Sequence, residues 1–238
     1  DTLAHALAPS MGNFKLFGGS AGDGMRFKET LVGAKKRVLR NAAVLTLVAT
    51  QCDIKTFSLD HMQPSQRRMV VTGADPARRI VSEINAEPAA AEYARLVGKT
   101  PEQLDEMTFA AHPLVVRLGN DHHVRSIQKV TDDGALLFLS AIDEGMVLSV
   151  ANAMHLPTHL DQSLSKLARG RAAPDILACD CALRRIETEQ NGTTDTVNQI
   201  LQKHRVLGFS TYGEQIGPMH VNHTMTGVAI FPPPKARG

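Results

Sequence analysis

Gly208-Phe209-Ser210-Thr211-Tyr212-Gly213-Glu214-Gln215 and, a few residues on, Met219-His220-Val221-Asn222-His223-Thr224-Met225-Thr226-Gly227 decide how this chain reads. Leu207 to Tyr212 and Met225 to Phe231 are rich in β-branched and aromatic residues and predict strands, while Gly213, Gly217 and Pro218 between them mark a loop. Tyr212, Glu214, Asn222 and Thr224 therefore fall where two strands end, a place where a rigid sheet holds binding side chains in irregular backbone. Tyr212 and Glu214 are two apart, so period-2 alternation expects them to point the same way, a carboxylate beside a phenol. The plainer alternative is a long hairpin whose polar residues are incidental.

Working outward, Asp1 to Met11 reads as the end of a helix, Asn13 to Phe17 as a strand, and Gly18-Gly19-Ser20-Ala21-Gly22-Asp23-Gly24 as a glycine-rich turn. Strands are expected at Glu29–Val32, Arg37–Thr50, Ile54–Ser58, Met69–Thr72 and Ile80–Ile84. The short Gly33-Ala34-Lys35-Lys36 turn leaves no room for a crossover helix, so pairing is antiparallel. Pro88 to Val97 predicts a helix stopped by Gly98, and Thr100-Pro101 opens a second over 101–108. Leu114–Leu118 and Val124–Val130 bracket the hairpin signal Gly119-Asn120-Asp121-His122, and Ala135–Ser140 and Val147–Ala151 continue a meander. Pro157 to Arg169 is an amphipathic helix, Asp175–Cys181 a buried strand, and Thr194 to His204 the last helix. Blocks of strands and helices without a strict strand-helix period predict a mixed α/β, α+β architecture: two subdomains with largely antiparallel sheets flanked by helices.

Bulk properties exclude several classes. The 238 residues are 43% hydrophobic with no long apolar run, which says soluble and globular, and nothing approaches the roughly 20 apolar residues of a membrane span. No secretory signal opens the chain. Net charge is +2 with both signs interspersed, which argues against a nucleic-acid partner. Three cysteines, at 52, 179 and 181, argue for a reducing compartment, with the cytoplasm as default, and the single residue between Cys179 and Cys181 is too short for the usual zinc pair.

Among candidate chemistries, the glycine-rich run lacks the Gly-Lys-Ser/Thr ending of a phosphate-binding loop and the helix of a dinucleotide fingerprint, and reads as a tight turn whose glycines take positive φ. Of ten histidines, His61 and His159 are expected near polar faces of loops or helices, His122-His123 in a hairpin turn, and His204 at a helix end, where a cation is favoured. His220 is the strongest haem-ligand candidate, with Met219, Val221, Phe209 and Ile216 able to wall a pocket around it; His112 and His223 are weaker. Cys179 and Cys181 read as buried packing. No Gly-x-Ser-x-Gly elbow is present, so no complete nucleophile triad can be proposed.

Gly208 to Gln215 with His220-Val221-Asn222 resembles the signature near the end of FIST domains, the sensory input modules of signal-transduction proteins. The glycine-rich segment from Phe17 to Gly24 is similar to that of the family's N-terminal subdomain, and Ala178-Cys179-Asp180-Cys181-Ala182-Leu183-Arg184-Arg185-Ile186-Glu187 to a cysteine-arginine segment of its C-terminal subdomain. Tyr93, Pro113-Leu114 and Val124-Arg125-Ser126-Ile127 fall in plausible order between them. The family has Asn-Gln-Thr where this chain has Asn222-His223-Thr224, so His223 is a departure. The resemblance implies residues 1–75 as the remainder of an N-terminal subdomain, 76–232 as the C-terminal subdomain and 233–238 as a tail, in a fragment lacking some preceding sequence. It also implies a non-catalytic module that binds a small ligand and reports occupancy to a signalling partner. The cysteine-arginine segment and Tyr-Gly-Glu-Gln loop look most like the branch that includes haem-containing nitric-oxide sensors. That branch implies haem b on His220 and control of a histidine kinase or cyclic-diguanylate enzyme. The alternative is a haem-free amino-acid or small-metabolite sensor, with Arg125 or Arg184 joining Tyr212 and Glu214 around the ligand. An enzyme using Glu214 as base is a third class.

Overall fold

Strand β1 (Phe17–Gly19) follows helix α1 (Thr2–Met11) in the computed structural model, which describes residues 2–24, 26, 28–118 and 121–233. A hairpin of β2 (Leu31–Ala34) and β3 (Arg37–Arg40) comes next, then β4 (Asp53–Asp60) and the long β5 (Met62–Asp75). After β6 (Ile80–Ile84) and the two-residue β7 (Glu87–Pro88) come α2 (Ala89–Val97), a 3₁₀ turn at Pro101–Gln103 and α3 (Glu106–Ala111). Strands β8 (Leu114–Leu118), β9 (Asp121–Arg125), β10 (Ile127–Val130), β11 (Leu136–Phe138) and β12 (Val147–Ala153) form the meander. Helix α4 (Leu156–Leu167), β13 (Asp175–Cys181), α5 (Ala182–Gln190) and α6 (Thr194–Lys203) lead to β14 (Val206–Thr211), β15 (Glu214–Ile216), β16 (Met219–Val221) and β17 (Thr224–Phe231). The fold is mixed α+β with largely antiparallel sheets, as expected.

Local chemistry accounts for the clearest elements. Gly98 ends α2 in the left-handed region (φ 72°), and Lys99 N–H reaches back to the Ala94 carbonyl at 2.8 Å, capping the last turn. Lys35 and Lys36 both have positive φ, the two-residue hairpin geometry that matches strand twist, so β2 and β3 pair tightly from Ala34↔Arg37 outward. Strands β13 and β14 are parallel, which requires a crossover, and α5 and α6 provide it.

Two sheets dominate. The smaller runs β14-β13-β17-β4, and α4 and α6 cover it through Phe57, Leu160, Leu164, Ile176, Met225 and Phe231. The larger runs β10-β11-β6-β5-β12-β8-β9 and packs Val71, Ile84, Leu114, Phe138 and Leu148 against Tyr93 of α2 and Phe109 of α3. Strands from before and after residue 75 share both sheets, because β4 pairs with β17 and β5 with β6 and β12. His61, fully buried, is the one residue between β4 and β5 and therefore joins the two sheets.

The larger sheet cannot be flat. Its outermost strands, β9 and β10, are consecutive in the chain and separated only by Ser126. Six steps of about 4.8 Å would put the edges of a flat sheet about 29 Å apart, whereas one intervening residue spans at most about 7 Å. The sheet is therefore rolled until its edges meet at Ser126, and the expected single strand Val124–Val130 is broken there as the chain changes partner from β8 to β11.

Other departures have equally local causes. The strand expected over Arg37–Thr50 stops at Arg40; residues 42–50 have no neighbouring strand and leave Val44, Leu45, Leu47 and Val48 exposed. The strand expected at Asn13–Phe17 begins at Phe17 and runs into the glycines. Gly19 serves close approach: a Cβ there would lie 2.1 Å from Thr211 Cγ2, and of the described glycines in the run only Gly24 has positive φ. The predicted loop after Tyr212 is a small hairpin, β15 and β16, turned by Gly217 (φ 54°) and joined to β1. Helix α5 was unforeseen. The turn at Gly119-Asn120 and the tail from 234 lie outside the described residues.

Candidate functional site

The buried region where the rolled edges of the larger sheet meet α5 and the start of β17 gathers polar side chains. Helix α5 presents Leu183 and Ile186, three apart and so on one face, toward a cavity of about 190 Å³. Phe109 of α3, Ile127 of β10 and Leu139 complete its apolar wall, and Ser126 and His223 supply polar groups. His223 is completely buried with φ 55°, a backbone region uncommon outside glycine, and neither ring nitrogen has a partner. Burial and the nearby His61 and Arg184 push its pKa down to about 3, so the ring is neutral, one nitrogen a donor and the other an acceptor.

Further buried polar atoms without a partner lie on residues next to cavity-lining ones: Arg125 Nε beside Ser126, Ser140 Oγ beside Leu139, Arg184 Nη2 beside Leu183 and Asn222 Oδ1 beside His223. Ser126 Oγ itself is also unpartnered. Each such atom costs about 1–3 kcal/mol, and native interiors rarely leave one unsatisfied.

On its other face α5 carries Arg184 and Glu187. Arg184, 1% exposed, donates from Nε to Asp180 Oδ1 (2.7 Å) and from Nη1 to His61 Nδ1 (3.0 Å). Because guanidinium only donates, His61 Nδ1 is the acceptor, and Nε2 carries the hydrogen given to Glu187 Oε2 at 2.8 Å. Burial raises the Asp180 pKa even with Arg184 beside it; burial alone would lower Arg184, but Asp180 holds it above its ordinary value. The rings of His61 and His159 lie 6.3 Å apart, and burial drives His159 down to about 4. His61 is fully buried, contrary to the expectation of a polar face, whereas His159 is half-buried and shares a hydrogen bond with Ser163 (3.3 Å).

Tyr212 and Glu214 diverge. Strand β14 ends at Thr211 and β15 begins at Glu214, so the alternation assumed across them is interrupted. The Tyr212 hydroxyl donates to Asp23 Oδ1 at 2.7 Å and also meets the Gly24 carbonyl, and Tyr212 borders a polar cleft of about 610 Å³ with Asp23, Lys28, Arg40 and Gln128. Gln128 borders both hollows. Glu214 is fully buried and lines neither; its carboxyl accepts from Thr211 Oγ1 (2.6 Å) and Thr224 Oγ1 (2.8 Å), and burial lifts its pKa to about 8. Arg184 is committed to Asp180 and His61, so it does not bracket a ligand with Tyr212. Arg125 is half-buried, donates from Nη1 to the Val124 carbonyl (3.2 Å) and has no carboxylate partner among the described residues; burial lowers its pKa. Asn222 donates weakly to the Tyr212 carbonyl at 3.5 Å.

His220 Nδ1 lies 3.2 Å from Gln215 Nε2, and its Nε2 abuts Gly213, where a Cβ would come within 2.4 Å of it. Burial lowers its pKa to about 4. Phe209 (59% exposed) and Met219 (38%) do not wall a pocket around it. His112 ends α3, its carbonyl accepts from Tyr93 (2.8 Å), and burial lowers its imidazole pKa. Neither His220 nor His112 lines the two hollows, and the cavity at His223 is smaller than the roughly 300–1,000 Å³ of ordinary ligand and cofactor sites. A porphyrin does not fit on these histidines as they stand. Ser126 and Leu183 stood within the family-like segments of the sequence without a site role, because the serine sits amid strand residues and the helix carrying Leu183 has no local start signal.

The small hollow lined by Ser126 and His223, with their unpartnered polar atoms, is a candidate ligand site in a mixed α+β fold. The sequence matches the FIST N domain over residues 1–87 and the FIST C domain over residues 89–217, and the chain belongs to the FIST family, whose domains are sensory modules of signal transduction. Comparison with curated proteins and with solved structures finds no match. No helix among the described residues is long and apolar enough to cross a membrane.

Proposed function

We propose that this chain is a haem-free, non-catalytic sensor in which a small metabolite occupies the cavity between α3, β10 and α5. The observation that carries it is His223: completely buried, in a strained backbone conformation, lining the cavity with both ring nitrogens unpartnered. Strain at such a position persists where the surrounding structure imposes it, and it gathers at ligand sites. A ligand that bonds His223 and Ser126 better in one arrangement of the β9–β10 edges than in another shifts the population between them, which is what a sensor requires. The family's sensory role supports a signalling protein, such as a histidine kinase, as the receiver, and the free cysteines favour the cytoplasm.

Leu183→Trp fills the cavity from α5 while leaving Ser126 and His223 in place. A metabolite panel should raise the melting temperature of the wild-type chain for at least one compound, by mass action on the folded state, and that rise should vanish in Leu183→Trp. A Soret band after incubation with haem, lost in His220→Ala, would overturn the proposal in favour of haem-based nitric-oxide detection. Turnover abolished by Glu214→Gln would overturn it in favour of an enzyme.

A further inference from the structure

We infer that the outer edge of β14 is a self-association surface whose occupant is the β14 of a second copy of this chain, related by a two-fold axis through Gly208. The smaller sheet ends in two edge strands, β14 and β4. Edge strands present unpaired N–H and C=O groups, and proteins ordinarily guard them with charged side chains. Strand β4 has such guards in Asp53, Lys55 and Asp60, whereas Val206-Leu207-Gly208-Phe209-Ser210-Thr211 carries no charge. Arg205, just ahead of it, is paired with Asp175. Leu207 is 74% exposed and Phe209 59%, and Leu177, opposite Leu207 in the β13–β14 register, is 41% exposed. All three stand on the face away from α4 and α6, because Ile176, next to Leu177, faces those helices.

The backbone fixes how a partner strand fits. The Ile176 N–H donates to the Arg205 carbonyl at 3.1 Å, so the main-chain groups of Arg205, Leu207, Phe209 and Thr211 turn toward β13, and those of Val206, Gly208 and Ser210 turn outward. An antiparallel copy centred on Gly208 exchanges two hydrogen bonds between the two Gly208 residues and two more between each Val206 and the opposing Ser210. The same register sets each Leu207 against the second copy's Phe209, an aliphatic–aromatic pair in the closer, non-hydrogen-bonded position, twice over. The edge is thus self-complementary, which an isologous contact requires. No like charges oppose each other, since the flanking Arg205 meets Thr211 of the second copy. Two strands about 20 Å long, closing two such apolar pairs, bury roughly 1,000 Å² in all, the lower bound for a specific interface, so the association is reversible and not permanent.

The experiment is sedimentation velocity on the whole chain from about 1 to about 300 μM. The expected result is a shift from one chain mass toward two across that range. Leu207→Glu and Phe209→Lys should each stay a single chain at the highest concentration. An equimolar mixture of the two variants should dimerise again, because the mixed pair keeps one Leu–Phe contact and replaces the other with opposite charges. That recovery also shows that both variants fold. Wild-type chain that stays monomeric throughout overturns the inference, as do single variants that dimerise like the wild type. A mixture that stays monomeric overturns the axis at Gly208 and the inference with it. Loss of the dimer in Leu47→Lys would seat the exposed apolar segment 42–50 of one copy on the next and overturn the pairing of β14 with itself.

Discussion

Arg184 and His61 are 123 residues apart in sequence and 3.0 Å apart in space, and their contact ties the first turn of α5 to the single residue that links the two large sheets. Asp180 and Glu187 complete a hydrogen-bonded row in which each member holds the next. Removing the cation strands Asp180. Arg184→Met is expected to lower unfolding free energy by about 3 kcal/mol, read from urea denaturation. Adding Asp180→Leu should recover much of that loss, and an additive double variant would show that the two residues do not act as a pair.

Glu214 should make stability depend on pH in an unusual direction. Its pKa is raised by burial to about 8, so the folded chain holds a proton that the unfolded chain releases near the ordinary 4.5. The contribution is complete below about pH 4.5 and is lost as pH rises through about 8, at up to about 1.4 kcal/mol per pH unit. His159, His220 and His223, whose values are lowered by burial, act oppositely at acid pH. The difference between wild type and Glu214→Gln isolates the carboxyl: the variant should gain relative stability steadily from pH 5 to 8. A flat difference would remove the proton from Glu214.

Gly213 holds His220 in place by what it lacks. A Cβ at 213 would stand 2.4 Å from the imidazole Nε2, so Gly213→Ala should expel the ring toward solvent. Its pKa, pressed down to about 4 by burial, should climb toward the ordinary 6.5, visible in a nitrogen-detected NMR titration. An unchanged titration would mean that the ring does not occupy that place.

Tyr212 fastens the glycine-rich segment to the C-terminal strands. Its ring fills the space a Cβ on Gly22 would need, and its hydroxyl meets the Asp23 carboxylate. Tyr212→Phe should cost about 1–2 kcal/mol and quicken proteolysis between residues 20 and 30. Equal cleavage rates in the two proteins would show the bond to be idle.

Much of the architecture was legible in the sequence because the signals were local. Gly98 after an apolar face, the apolar run Asp175–Cys181 and the β-branched run to Phe231 each carry their own start and stop, and α2, β13 and β17 appear where expected. Helix α5 was hidden because it starts directly on Cys181 without a capping side chain and with arginines, not acids, in its first turn. Residues 42–50 show the converse, an apolar strand pattern with no strand beside it to complete a ladder. At the candidate site, the sequence favoured His220 over His223, since apolar neighbours surround His220 in the chain. The fold reverses this by exposing Phe209 and Met219 and burying His223 against a hollow. Which side chains meet across the break at Ser126 depends on how the sheet closes, and no local pattern encodes that.

The one-residue joint at Ser126 makes the two margins of the larger sheet neighbours without hydrogen-bonding them to each other. The rolled sheet is therefore held closed there by covalent connection and not by a strand ladder. Opening the chain at that point would let the rolled sheet relax into a ribbon, and the hollow would disappear with the joint that bounds it.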